Sequence, residues 1–69
     1  MKKTIKIEGM SCMHCVGAVE KALNAVAGVQ NVNVDLDNKV ATVDVDGSIT
    51  DEILREAIED QGYDVISIS

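Results

Sequence analysis

Two thiols and an imidazole lie close together in the run Gly9-Met10-Ser11-Cys12-Met13-His14-Cys15, the most reactive stretch of the chain. Cysteines three positions apart, where a loop runs into a helix, can turn toward a common point. The free N–H groups and partial positive charge of a helix N-terminus lower a thiol's pKa and favour the thiolate. Two neighbouring thiolates form a soft, anionic site of low coordination number, which selects Cu(I) among the common cellular metals. A structural zinc site takes four ligands, and Cys12, Cys15 and at most His14 fall short of that within one chain. Two other uses of the pair compete: a dithiol redox centre, and two ordinary small apolar side chains. In the redox case Cys12, nearer the surface, attacks and Cys15 resolves. A thioredoxin-like domain usually runs to ~100 residues and typically carries a proline between its cysteines. This chain has 69 residues and no proline, which weighs toward the metal and leaves the redox use standing as the alternative.

The residues around the thiols carry their own expectations. His14 is a potential third ligand, but adjacent side chains in a loop diverge and a solvent-facing imidazole is expected. Its protonation would still reduce repulsion between the thiolates. Met10 offers a thioether and is expected to act as a flexible core filler. Met13 is expected to be exposed and free to touch a partner, and Ser11 to hydrogen-bond the loop backbone. Gly9 and Gly17 are candidates for close backbone approach, Gly17 at a helix-propensity cost of roughly 1 kcal/mol against alanine.

Length and charge exclude much else. A chain of 69 residues is expected to form one domain, residues 1–69, with a thin core and no enclosed substrate cavity of enzyme size. Tyr63 is the only aromatic residue, so no platform exists for stacking bases. Twelve acidic against six basic residues give a net charge of −6, which argues against nucleic acid and anionic membrane surfaces as partners. Asp35, Asp37, Asp44 and Asp46 are expected to line a solvated hairpin. No apolar run approaches the ~18 residues of a membrane span. Met1-Lys2-Lys3 is followed by Thr4, Lys6 and Glu8 instead of an unbroken apolar stretch, so a complete chain would be expected to stay in the cytoplasm. Cysteines in that reducing compartment more often bind metal or react than form structural disulfides.

Six short elements must position the thiols. Residues 3–8 alternate, with Ile5 and Ile7 on one face, as in a half-buried strand. Gly9 through His14 read as a loop. From about Cys15 a helical stripe of Val16, Val19, Ala22, Leu23 and Val26 runs to Gly28, a C-terminal glycine. Val29 to Leu36 alternates with Val32, Val34 and Leu36 on one side. Asp37-Asn38 is a turn candidate, and Ala41, Val43 and Val45 form the return strand. Thr50 can cap a second helix whose buried face is Ile53, Leu54, Ala57 and Ile58, ending at Gly62. Tyr63 to Ile68 is a last strand. The order predicts an α+β, ferredoxin-like βαββαβ sandwich: a four-stranded antiparallel sheet with both helices on one face.

The Gly-Met-Ser-Cys-x-x-Cys run at 9–15, Gly28-Val29 after the first helix, and Ile58-Glu59-Asp60-Gln61-Gly62-Tyr63 near the end resemble the heavy-metal-associated domain family over the whole chain. His14 between the cysteines, and Tyr63 where eukaryotic copper chaperones commonly have lysine, resemble its bacterial copper-chaperone branch. The resemblance implies the same βαββαβ fold and no enzymatic activity. It implies one Cu(I) per monomer, held by Cys12 and Cys15 and delivered to the metal-binding domains of a copper-transporting P-type ATPase. It also admits a copper-bridged homodimer, and it places Met10 under the loop and Tyr63 beside the metal as a shield. Mercury-binding relatives share the motif, and Ser11 stands where zinc-binding relatives often add an acidic residue. A metal domain excised from a larger ATPase would look much the same, although Met1 at the start and the ending at Ser69 lean toward a free chaperone.

Overall fold

The structure, a computed structural model, describes residues 1–69. Strand β1 (Lys2–Glu8) leads through a loop into helix α1 (Met13–Asn24). Strands β2 (Val29–Asp35) and β3 (Val40–Val45) form a hairpin, followed by helix α2 (Asp51–Glu59) and strand β4 (Asp64–Ile68). The sheet order is β2-β3-β1-β4 with every neighbouring pair antiparallel. This is the ferredoxin-like arrangement expected from the alternation of periods along the chain.

Burial follows that pattern. Ile5 and Ile7 of β1, Val19 and Leu23 of α1, and Leu54 and Ile58 of α2 expose no surface, and all 13 buried residues are apolar. The helices and one sheet face therefore share a single core, to which Met10, Ile49, Val16 and the inward residues of β3 also belong. Thr50 Oγ1 accepts a hydrogen bond from the Ile53 N–H at 3.3 Å, and Asp51 and Glu52 occupy the first turn of α2, as a capped N-terminus requires. None of the helices is long and apolar enough to cross a membrane.

Several local expectations are corrected. Helix α1 ends at Asn24 with Ala25 as its C-cap, so Val26 and Gly28 lie beyond it, and the hairpin turn spans residues 36–39 instead of two residues. Helix α1 begins at Met13 with Cys12 as its N-cap, so His14 and Cys15 lie on the first turn, not in and after a loop. Ile53 is 38% exposed, because it precedes the Leu54–Ile58 stripe by one residue and so turns about 100° away from it. The last strand begins at Asp64, which leaves Tyr63 in the segment before it. The simple alternation of β2 is broken by a bulge: Gln30 pairs with Asp44 but Asn33 with Thr42, and Asn31 takes a φ of +53°. The bulge lets Val29, at an odd position, and Val32 and Val34, at even ones, face the same core. In the hairpin turn Asp35 accepts from the Asn38 backbone and side chain, while the positive φ (+58°) falls on Lys39.

The topology gathers three connections at one end of the sheet: the loop after β1, the β2–β3 turn and the segment between α2 and β4. A cavity of about 250 Å³, lined by Met1, Gly28, Gln30, Asp44, Val45 and Asp46, opens at the other end and contains neither cysteine.

Candidate metal centre

The loop leaves β1 through Gly9, whose φ of +102° is a left-handed conformation that side-chain-bearing residues rarely adopt. A Cβ there would lie 3.4 Å from Tyr63 Cδ1, so the turn and the tyrosine ring fit against each other. Met10 then drops into the core, 5% exposed. With Met10 below and Val16 anchoring α1 from within the core, the intervening residues are held at the surface. Cys12 is exposed and Cys15 half-buried.

The two sulfurs are 3.9 Å apart and both thiols are free. Cys12 caps α1 with extended backbone (φ −159°, ψ 175°) and offers its side chain to no helix N–H; its carbonyl accepts from the N–H groups of Cys15 and Val16. The Cys15 thiol is lowered to about 6. The chief cause is the Tyr63 hydroxyl, followed by the backbone N–H of Ser11, then the Cys12 side chain and N–H, all working against partial burial. A donor stabilises the charged form of the sulfur and so releases its proton more easily. The Tyr63 hydroxyl is correspondingly raised, chiefly by the Cys15 thiol, then by partial burial and the charge of both sulfurs.

Most neighbours fall where expected. Met10 packs under the loop, Met13 is 67% exposed, and His14 faces solvent. No set of three or more His, Cys, Asp or Glu side chains is arranged to hold a metal ion, so His14 does not complete a cluster with the thiols. Ser11 departs from expectation. Its hydroxyl lies 3.9 Å from Cys15 Sγ rather than on the loop backbone, since Cys15, one helical turn on, faces back toward the loop. Gly17 also departs: it is exposed, and a Cβ there would meet nothing within 4 Å. The backbone at Ser11 and Cys12 adds to the acidification of Cys15, an effect that no residue type in the sequence reveals.

A dithiol held open at the tip of a ferredoxin-like domain defines a small class of metal-handling modules. Residues 4–64 match the family model for the Heavy-metal-associated domain, and the chain belongs to that family. It is 52% identical over 66 residues to the "Copper chaperone CopZ" of Staphylococcus haemolyticus (strain JCSC1435), covering 94% of this chain and 97% of that protein. Among solved structures, one described as "CopZ metallochaperone" superposes with a TM-score of 0.91 at 45% identity, covering 96% of this chain and 100% of that one. The N-terminal domain of a potential copper-translocating P-type ATPase from Bacillus subtilis, in its Cu(I)-loaded state, superposes with a TM-score of 0.86 at 34% identity. That match covers 93% of this chain and 81% of the ATPase domain. The curated relatives among these matches are named copper chaperones.

Proposed function

We propose that this protein is a cytoplasmic copper chaperone. Cys12 and Cys15 bind one Cu(I) and pass it, by thiolate exchange, to the metal-binding domains of a copper-transporting P-type ATPase. The observation that carries this reading is a pair of free sulfurs 3.9 Å apart, one of them fully at the surface. Metal–thiolate bonds of about 2.3 Å would span ~4.6 Å if collinear, so a modest outward shift of Cys12 seats a two-coordinate ion. Two thiolates leave such an ion with vacant positions. An incoming thiolate adds before an original one departs, and the ion never enters solution. Similarity to copper chaperones and to a copper-loaded ATPase domain supports both ends of this transfer.

The redox alternative has less support. The curated relatives that the chain matches over most of its length are named copper chaperones. X-ray absorption of the copper-loaded protein tests the proposal, with two sulfur neighbours and no nitrogen shell expected. Replacing either cysteine with serine is expected to abolish tight Cu(I) binding at one equivalent. An ion caged by four donors, or retained by both single-serine variants, would overturn the assignment.

A further inference from the structure

We infer that Gly17 is a clearance built into α1, where the backbone of the acceptor domain comes to rest during handover. The inference deepens the delivery reading and rests on it. Glycine disfavours a helix interior, and at Gly17 nothing inside the fold requires it: a Cβ would meet no atom within 4 Å, and the backbone is helical. The residue is exposed and stands one turn beyond Met13, which is 67% exposed, so a thioether and an empty notch sit one above the other on the outward face. Gly17 follows Cys12 by five residues, about 7.5 Å along the helix axis.

That distance places Gly17 beside the sulfurs. Passing a metal between thiolates brings donor and acceptor sulfurs within two bond lengths, so the acceptor covers the surface around Cys12. A standard interface of about 800 Å² per partner corresponds to a disc roughly 16 Å in radius, and Gly17 falls well inside one centred on the sulfurs. The partner that fits is a folded domain carrying its own thiol pair, which meets Met13 and lies flush on Gly17. A small thiol compound reaches the metal without touching either residue.

The test compares the wild-type chain with Gly17→Ala and Gly17→Leu, each loaded with Cu(I). The acceptor is the ATPase N-terminal domain compared above, with a small dithiol chelator as control. Gly17→Ala is expected to raise the melting temperature by roughly 4–8 °C, and a lower value would mean the fold itself needs the glycine. Gly17→Leu is expected to slow transfer to the domain at least tenfold and leave transfer to the chelator unchanged. Equal rates to the domain for wild type and Gly17→Leu overturn this inference alone. No transfer from the wild-type chain overturns the delivery reading and takes this inference with it. If the Met13 and Gly17 amide signals shift when the loaded protein is concentrated, and not when the domain is added, the face serves a second copy and the inference fails.

Discussion

Gly9 and Tyr63 are in contact across the tip of the molecule, with the position of a Gly9 Cβ only 3.4 Å from Tyr63 Cδ1. The contact joins two distant parts of the sequence, the exit from β1 and the entry to β4, which pair in the sheet beside it through Glu8 and Asp64. It also fixes the side chain whose hydroxyl does most to acidify Cys15. The positive φ at Gly9 and the chemistry of the thiol are therefore coupled through one aromatic ring.

Gly9→Ala is expected to lose roughly 1–3 kcal/mol of stability from the strained backbone conformation. It should also raise the Cys15 pKa, as relaxation of the strained turn shifts the Tyr63 ring packed against it. Denaturant unfolding measures the first effect, and thiol alkylation against pH the second. A stability loss with unchanged alkylation would separate the turn from the tyrosine.

Tyr63→Phe keeps the ring and removes the donor. The midpoint of Cys15 alkylation, expected at about 6 in the wild type, should move upward in the variant toward the ordinary thiol range. The melting temperature should change little, because Tyr63 is only half-buried.

The same thiol makes the metal-free protein pH-sensitive. Its folded pKa of about 6 lies below the unfolded value of about 8.5. The folded state therefore binds fewer protons between those limits, and stability rises with pH across that window. The contribution is complete above about pH 8.5 and lost as pH falls through about 6. Unfolding of the reduced apoprotein from pH 5.5 to 9 should show this slope relative to Cys15→Ser, and parallel curves for the two proteins would contradict it.

Met10 and Met13 make a matched pair of the same residue type in opposite settings. Met10→Ala removes a core side chain and should cost roughly 2–5 kcal/mol, whereas Met13→Ala should stay within about 0.5 kcal/mol. Met10→Leu should preserve copper affinity, since Met10 is buried in the core under the loop. A large loss of affinity in that variant would make Met10 a ligand.

Sequence patterning carried the architecture because β1, α1 and α2 each have an unambiguous period. Ile5 and Ile7, Val19 and Leu23, and Leu54 and Ile58 fall on one face of their elements, and the same residues form the dry centre of the core. The thiol pair was equally legible from its spacing. Other features were hidden for physical reasons. The β2 bulge arises because Val29 and Val32 have opposite parity, and a simple alternation starting at Val32 does not show where the extra residue goes. Thr50 advertises the start of α2, but α1 opens on Cys12, a poor cap, so no residue marked its first turn. The bond between Ser11 and Cys15, and the acidifying hydroxyl of Tyr63, depend on where a helix turn and a distant strand end meet. Only the resemblance to the family pointed to Tyr63.

β1 is an interior strand, tied to β3 on one side and to β4 on the other. The segment bearing the sulfurs thus leaves from one of the two interior strands and is pinned again by Val16 a few residues later. Any give is confined to that short span. On the proposed function, gaining or losing an ion would be felt there and damped before it reached the rest of the sheet, so the metal-free protein would stand ready in nearly its loaded shape.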